Sequence, residues 1–256
     1  MKYIFDVDGT LTPSRQKIDP DFLIFFNSFA LANEVYLVTG SDRDKTIEQI
    51  THLLYCNCKR VYNCAGNDVY EGDISIYTNP WTLPLDAREH LNEELLASTF
   101  PVRTGTHIEE RPGCINFSIV GRGANQTERL VYSDWDEIKN ERRNIAERFN
   151  EKFPEMYAHV GGQTGVDISK KGCDKSQIAK DFMDGDVIFF GDRLDEYLIG
   201  ENEIKFATKL YKKKKIFYLI DFEKKSSKPL NRIVSSENAS KLNKSEIYKL
   251  LKLGLN

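Results

Sequence analysis

Two carboxylates, Asp6 and Asp8, follow directly on the apolar run Tyr3-Ile4-Phe5, and Gly9 comes next. The run reads as a short buried strand. A strand that ends in two acids and a glycine puts charge at the carboxyl edge of a sheet, where open α/β sheets place their ligands. Carboxylates this close repel each other, so ionising both calls for a compensating cation. Hard oxygen donors suit Mg²⁺, which commonly combines one or two carboxylates with substrate phosphate. One Asp can then be a nucleophile, since carboxylates form aspartyl-phosphates. The other can carry a proton as general acid and base. Asp and Gly after a strand are also ordinary turn residues, so the pair gains weight only from its surroundings.

Three further stretches carry compatible chemistry. Thr39-Gly40-Ser41-Asp42 closes a second apolar run, and hydroxyls with backbone N–H groups at a strand-to-helix turn are good phosphate ligands. The same residue types are common helix caps. Lys175 stands in Gly172-Cys173-Asp174-Lys175, and Asp192 and Asp195 follow a third apolar run in Gly191-Asp192-Arg193-Leu194-Asp195-Glu196. Arginines gather between these stretches, at Arg111, Arg122 and Arg129. Arg is the side chain best shaped for bidentate phosphate recognition, though a single surface Arg is usually just solvated.

The string Asp6-Val7-Asp8-Gly9-Thr10-Leu11-Thr12 resembles the first motif of the haloacid dehalogenase superfamily of phosphoryl-transfer enzymes. Its continuation through Ile18 is similar to the eukaryotic-type phosphomannomutase family. Thr39-Gly40-Ser41-Asp42, Lys175 and the Asp192 segment resemble the second, third and fourth motifs, in the expected order. The resemblance covers roughly residues 2–200. It implies that Asp6 takes the phosphoryl group and Asp8 moves the proton. Thr39, Gly40, Ser41 and Lys175 would bind phosphate. Mg²⁺ would be held by Asp6, the Asp8 carbonyl, Asp192 and Asp195. Arg15 would approach the substrate from the core side. Arg111, Arg122 and Arg129 would meet the distal phosphate, and Asn116 and Asp167 the sugar. The implied reaction interconverts mannose 6-phosphate and mannose 1-phosphate, with a hexose 1,6-bisphosphate as activator. The alternative is a Mg²⁺-dependent sugar-phosphate phosphatase. Two departures stand out. The family commonly has Ser where this chain has Gly165, two residues before Asp167, and its longer fourth-motif loop is shortened here to Arg193-Leu194-Asp195.

Elements to position these residues can be read from the pattern. Asp19-Pro20 starts a helix over 20–32, with Asp as N-cap and Pro at the first helical position. Residues 34–38 form the next strand, and a helix runs from the Ser41 turn to about Leu54. This βαβ pattern implies parallel strands. Residues 60–63 are a short strand before a hairpin. After the linker-like Asn79-Pro80-Trp81-Thr82-Leu83-Pro84, the expected elements are a helix over 86–98, strands over 106–111 and 114–119, one helix over 134–153, and strands over 157–161 and 166–169. A helix over about 174–183 and a strand over 186–190 resume the core. Residues 212–215 are a lysine run, 216–222 a last strand and 245–253 a short helix. The expected architecture is a doubly wound, Rossmann-like α/β parallel-sheet core, residues 1–82 and 174–256, with an inserted α+β cap, residues 83–173.

The 256 residues are 40% hydrophobic and 29% charged, with a formal net charge of -3. This suits a globular protein and gives no reason to expect nucleic acid or a membrane surface as partner. The chain opens directly into a strand with no signal-peptide core, so a cytoplasmic location is expected. The five cysteines read as free thiols. Cys56-Asn57-Cys58 is tighter than the usual structural-zinc pair, and the four histidines form no metal-like pair, so no chemistry is assigned to them. The partner expected is a small phosphorylated sugar, and the family resemblance implies a homodimer through the cap.

Overall fold

The computed structural model describes residues 1–13, 15–182, 184, 187–191, 216–220 and 241–242. Asp192, Asp195, the 212–215 lysine run and the expected 245–253 helix lie outside the described residues. The chain divides into two units, Met1–Thr78 with Asp174–Asn256, and Asn79–Cys173.

The first unit is built on β1 (Lys2–Asp6). Ile4 and Phe5 are both fully buried, as expected of a parallel strand covered on its two faces. β1 pairs in parallel with β2 (Glu34–Val38) on one side and β10 (Val187–Gly191) on the other. β2 continues to β3 (Arg60–Asn63), also parallel, and then to the antiparallel hairpin β4 (Asp68–Glu71) and β5 (Ile74–Thr78). β11 (Ile216–Ile220) and β12 (Lys241–Leu242) extend the other edge in parallel. The chain leaves β1 towards β2 and returns to its opposite side at β10, so the strand order reverses beside β1. That reversal creates a crevice at the carboxyl ends of the strands, and Asp6 is the last residue of β1.

Helix α1 (Pro20–Ala32) starts as expected, with the Asp19 carboxylate accepting from the Phe22 N–H at 3.0 Å. It buries Phe22, Phe26 and Phe29 on one face of the sheet, where Phe26 meets Phe5 edge-on at 4.9 Å and Phe190 stacks on Phe5 at 4.3 Å. The other face packs Ile4, Tyr36 and Phe189 against Phe182. The expected single helix after Ser41 is two, α2 (Arg43–Ile50) and α3 (His52–Asn57). Thr51 breaks them at φ 73, a left-handed conformation unusual for a β-branched residue. The segment expected as a helix over 174–183 is a 3₁₀ helix, Lys175–Phe182. The Asp174 carboxylate accepts from the Ser176 N–H at 2.8 Å and opens it.

The second unit is a four-stranded antiparallel sheet, in the order β6 (Ile108–Arg111), β7 (Cys114–Phe117), β9 (Gly165–Lys170), β8 (Met156–Gly161). Its other elements are α4 (Leu85–Ala97), α5 (Gln126–Lys139) and α6 (Glu141–Lys152). Ile115, Phe117, Val166, Ile168, Met156 and Ala158 point into one core with Tyr132, Ile145 and Phe149 of the helices. The expected 134–153 helix is therefore broken, and its first half begins earlier. A full capping box between Asn125 and Glu128 starts α5. Asn140, at φ 52, ends it. The Asp136 carboxylate then takes the Arg142 N–H at 2.8 Å and the Arg142 Nε at 2.7 Å, which fixes the corner.

Candidate active site

In the first unit, Asp6 is buried and its Oδ1 accepts from Lys175 Nζ at 2.9 Å. The two residues are 169 positions apart, and the pair exists because β10 and the 3₁₀ helix return the chain to β1. Asp8 is held differently. Its Oδ1 accepts from the Arg15 backbone N–H at 2.6 Å and from Gln49 Nε2 at 2.9 Å, and its Oδ2 accepts from Ser41 Oγ at 3.4 Å. A tight turn makes this geometry: Leu11 and Thr12 N–H groups bond back to the Val7 carbonyl, and Gly9 takes φ 78. Thr39 is buried and its Oγ1 accepts from the Ser41 N–H at 3.0 Å. Among the described residues, no atom outside its chain neighbours lies within 4 Å of where a Gly40 side chain would begin.

Asp6, Lys175, Asp8, Ser41 and Thr39 thus gather at the carboxyl ends of β1 and β2. Arg15 joins through its backbone N–H, at φ 59. Gln49 was not singled out from the sequence. It is buried on α2, also donates to Thr12 Oγ1 at 3.3 Å, and orients the Asp8 carboxylate. Its only sequence signal is spacing, since it sits two turns after the Asp42 cap. The ligand atoms that Asp6 and Asp8 themselves offer are oxygens, the donor type Mg²⁺ requires.

The second unit carries a polar row on its helix-free face. The registers Glu109↔Asn116, Asn116↔Asp167 and His159↔Asp167 align four polar side chains across all four strands. Asn116 Nδ2 donates to Asp167 Oδ1 at 2.6 Å, and Arg122 Nη1 donates to Asn116 Oδ1 at 3.2 Å. Glu109 Oε2 receives Arg111 at 2.5 Å and Arg122 at 3.0 Å. Burial works against the Arg111 charge, yet the Glu109 and Asp167 carboxylates hold its pKa above the ordinary value. Arg129 donates from Nε to Gln163 at 3.3 Å, while its Nη2 is buried with no hydrogen-bond partner among the described residues. Burial, and then the nearby Arg122 charge, push its pKa down. Neighbouring guanidiniums of this kind favour an anion between them.

Glycines shape the row. A Cβ at Gly161 would lie 1.9 Å from Asp167 Oδ2, and one at Gly165 would lie 2.4 Å from Asn116 Nδ2. Arg111, Asn116, Arg122 and Asp167 therefore form one bonded network, with Arg129 beside Arg122. His159, which carried no sequence expectation, completes the row with its Nδ1 buried and lacking a partner among the described residues. His52, to which the sequence assigned no chemistry, lies against Cys56 and Asp73.

The family model for eukaryotic phosphomannomutase matches residues 25–215. A phosphomannomutase of Arabidopsis thaliana is 30% identical over 206 residues, 75% of this chain and 82% of that protein. Phosphomannomutase 1 of Homo sapiens is 31% identical over 206 residues, 73% of this chain and 77% of that protein. Among solved structures, a trehalose-6-phosphate phosphatase related protein superposes with TM-score 0.58 at 16% identity, covering 99% of both chains. A haloacid dehalogenase subclass IIB sugar phosphatase superposes with TM-score 0.51 at 15% identity, covering 86% of this chain and 87% of that one. These two likenesses establish the haloacid dehalogenase fold. With the match along most of its length, the chain is a phosphoryl-transfer enzyme and a member of the eukaryotic phosphomannomutase family.

Proposed function

We propose that this enzyme interconverts mannose 6-phosphate and mannose 1-phosphate through a phosphorylated Asp6 and a hexose bisphosphate. The observation that carries the reading is the Lys175–Asp6 ion pair at 2.9 Å, beside an Asp8 whose carboxylate is held by three donors. Asp6 Oδ attacks phosphorus in line, and the Oδ–P bond forms as the bond from phosphorus to the sugar oxygen breaks. Asp8 gives the leaving oxygen its proton, then removes the proton of the next hydroxyl. Lys175 steadies the Asp6 carboxylate and the transferring group, and the Ser41 and Thr39 turn binds phosphoryl oxygens. Asp6 and the Asp8 carbonyl, with Asp192 and Asp195, supply the oxygens that would hold Mg²⁺, whose charge would offset that of the phosphoryl group.

A mutase needs a second anion site, because its intermediate has two phosphates. Arg111, Arg122 and Arg129 of the cap unit supply one, and Asn116 and Asp167 offer donors and acceptors to sugar hydroxyls. Phosphorylated Asp6 would give its group to the free hydroxyl of a hexose monophosphate. The bisphosphate then turns end for end, and Asp6 takes the other phosphate. The shortened Arg193-Leu194-Asp195 loop favours a second reading, in which water is the acceptor and the enzyme is a sugar-phosphate phosphatase. Feeding mannose 1-phosphate and Mg²⁺, with and without a hexose 1,6-bisphosphate, separates the two. Mannose 6-phosphate as product supports the mutase; free phosphate alone rejects it.

A further inference from the structure

His52, Cys56 and Asp73 form a side-chain cluster that the phosphoryl-transfer chemistry does not use. We propose that they bind a zinc-class divalent transition metal, with three protein ligands and a fourth position left to solvent. The positions follow from the backbone. The break at Thr51, φ 73, starts α3 at His52, so Cys56 lies one turn further along the same face. Asp73 comes from the two-residue loop Gly72-Asp73 between β4 and β5, where Glu71 pairs with Ile74 and Gly72 takes φ 57. Such a loop needs a glycine at its first position.

The candidate ligand atoms lie within 4.8 Å of one another, close to the separations a tetrahedral ion imposes. His52 Nε2 lies 2.9 Å from Asp73 Oδ1 and 3.5 Å from Cys56 Sγ, and Cys56 Sγ lies 4.0 Å from Asp73 Oδ2. With metal–N and metal–O bonds of about 2.0 Å and metal–S bonds of about 2.3 Å, the edges of a tetrahedron are about 3.3 Å and 3.5 Å. The Asp73 carboxylate meets His52 through Oδ1 and Cys56 through Oδ2, and its rotation would turn a single oxygen to both. One nitrogen, one sulfur and one carboxylate oxygen make a donor set that selects zinc-like ions over Mg²⁺. His52 and Asp73 are more than half exposed, so an ion has a direct entry path.

Arg43 is the obvious competitor, since its Nη2 lies 2.5 Å from Asp73 Oδ1. Its guanidinium is also held over the rings of Tyr55 at 5.4 Å and Tyr70 at 4.8 Å. It can therefore keep Oδ1 and orient the carboxylate while Oδ2 turns to the metal, as outer partners of ligating carboxylates do. On binding, the Cys56 thiol gives its proton to solvent and the thiolate joins the ion. The bound ion would tie α3 to the β4–β5 hairpin.

The proposal is independent of the sugar-phosphate reading. The test uses the full reduced chain and Co²⁺ as probe, because a thiolate ligand gives a charge-transfer band that an all-oxygen site cannot. The expected result is one equivalent of that band, displaced by Zn²⁺, absent in Cys56→Ser and retained in Asp6→Asn. Asp73→Asn and His52→Gln should weaken binding by about tenfold or more. Circular dichroism of each metal-free variant checks that it folds. Absence of the band in the native chain, or its survival in Cys56→Ser, overturns the proposal.

Discussion

Gly165→Ser is the substitution that tests the cap network most directly. Gly165 is not at positive φ, so a side chain there meets no backbone strain, and the outcome rests on space alone. The new Cβ would lie 2.4 Å from Asn116 Nδ2, about 1 Å or more inside ordinary contact at ~3.5 Å. Asn116 is 3% exposed and has no open side to retreat to. Moving it breaks its 2.6 Å bond to the Asp167 carboxylate and its 3.2 Å bond from Arg122. Losing a hydrogen bond to a charged group costs about 1.5–3 kcal/mol, and the reduced freedom of the unfolded chain returns less than about 1 kcal/mol. The expected net loss is about 2 kcal/mol, a fall on the order of 10 °C in the transition of a unit this size. Thermal unfolding followed by circular dichroism measures it, and KM for the sugar phosphate should rise with little change in kcat. In an Asn116→Ala background only the 3.1 Å approach to the Gly161 carbonyl remains, so Gly165→Ser should there cost about 1 kcal/mol or less. Equal costs in the two backgrounds would refute the argument.

Lys175→Met should lower kcat by about 10²–10³-fold, the loss typical of one preorganised charge partner, with the fold intact by circular dichroism. Gln49→Leu keeps the buried volume but removes one donor from Asp8, so kcat should fall by about tenfold or more while KM holds, read in steady-state kinetics. Alkaline titration followed by tyrosinate absorbance should show a late group of tyrosines. Burial pushes the Tyr55 pKa up to about 12, and burial also raises Tyr36, Tyr62 and Tyr132. Their contribution to stability is complete below the unfolded value of about 10 and is lost as pH rises through the folded one, so they should ionise together with unfolding.

The core was legible because its signals are local. Asp19-Pro20 marks one helix start, and β1, β2 and β10 are short apolar runs closed by an acid, a hydroxyl or glycine. The breaks were not. Thr51 at φ 73 has no turn residue to announce it, and Asn140 sits within a charged stretch whose apolar spacing continues on both sides. Ending the α2 region at Leu54 also hid the one-turn relation of His52 to Cys56. The candidate acids Asp6 and Asp8 were readable because they lie within one motif. The Glu109–Asn116–Asp167–His159 row was not, because it depends on strand register, which side-chain pairing across the sheet decides.

The insertion between β5 and the 3₁₀ helix sets a schedule for synthesis. As the chain leaves the ribosome, β1, β2 and β3 emerge early, while β10, the inner neighbour of β1, must wait for the whole of Asn79–Cys173. Until then β1 is an open edge, with Phe5 lacking the ring of Phe190 and its backbone ready to pair with another nascent chain. The same delay withholds Lys175 from Asp6, so the polypeptide gains its charged pair only after the second unit has been made.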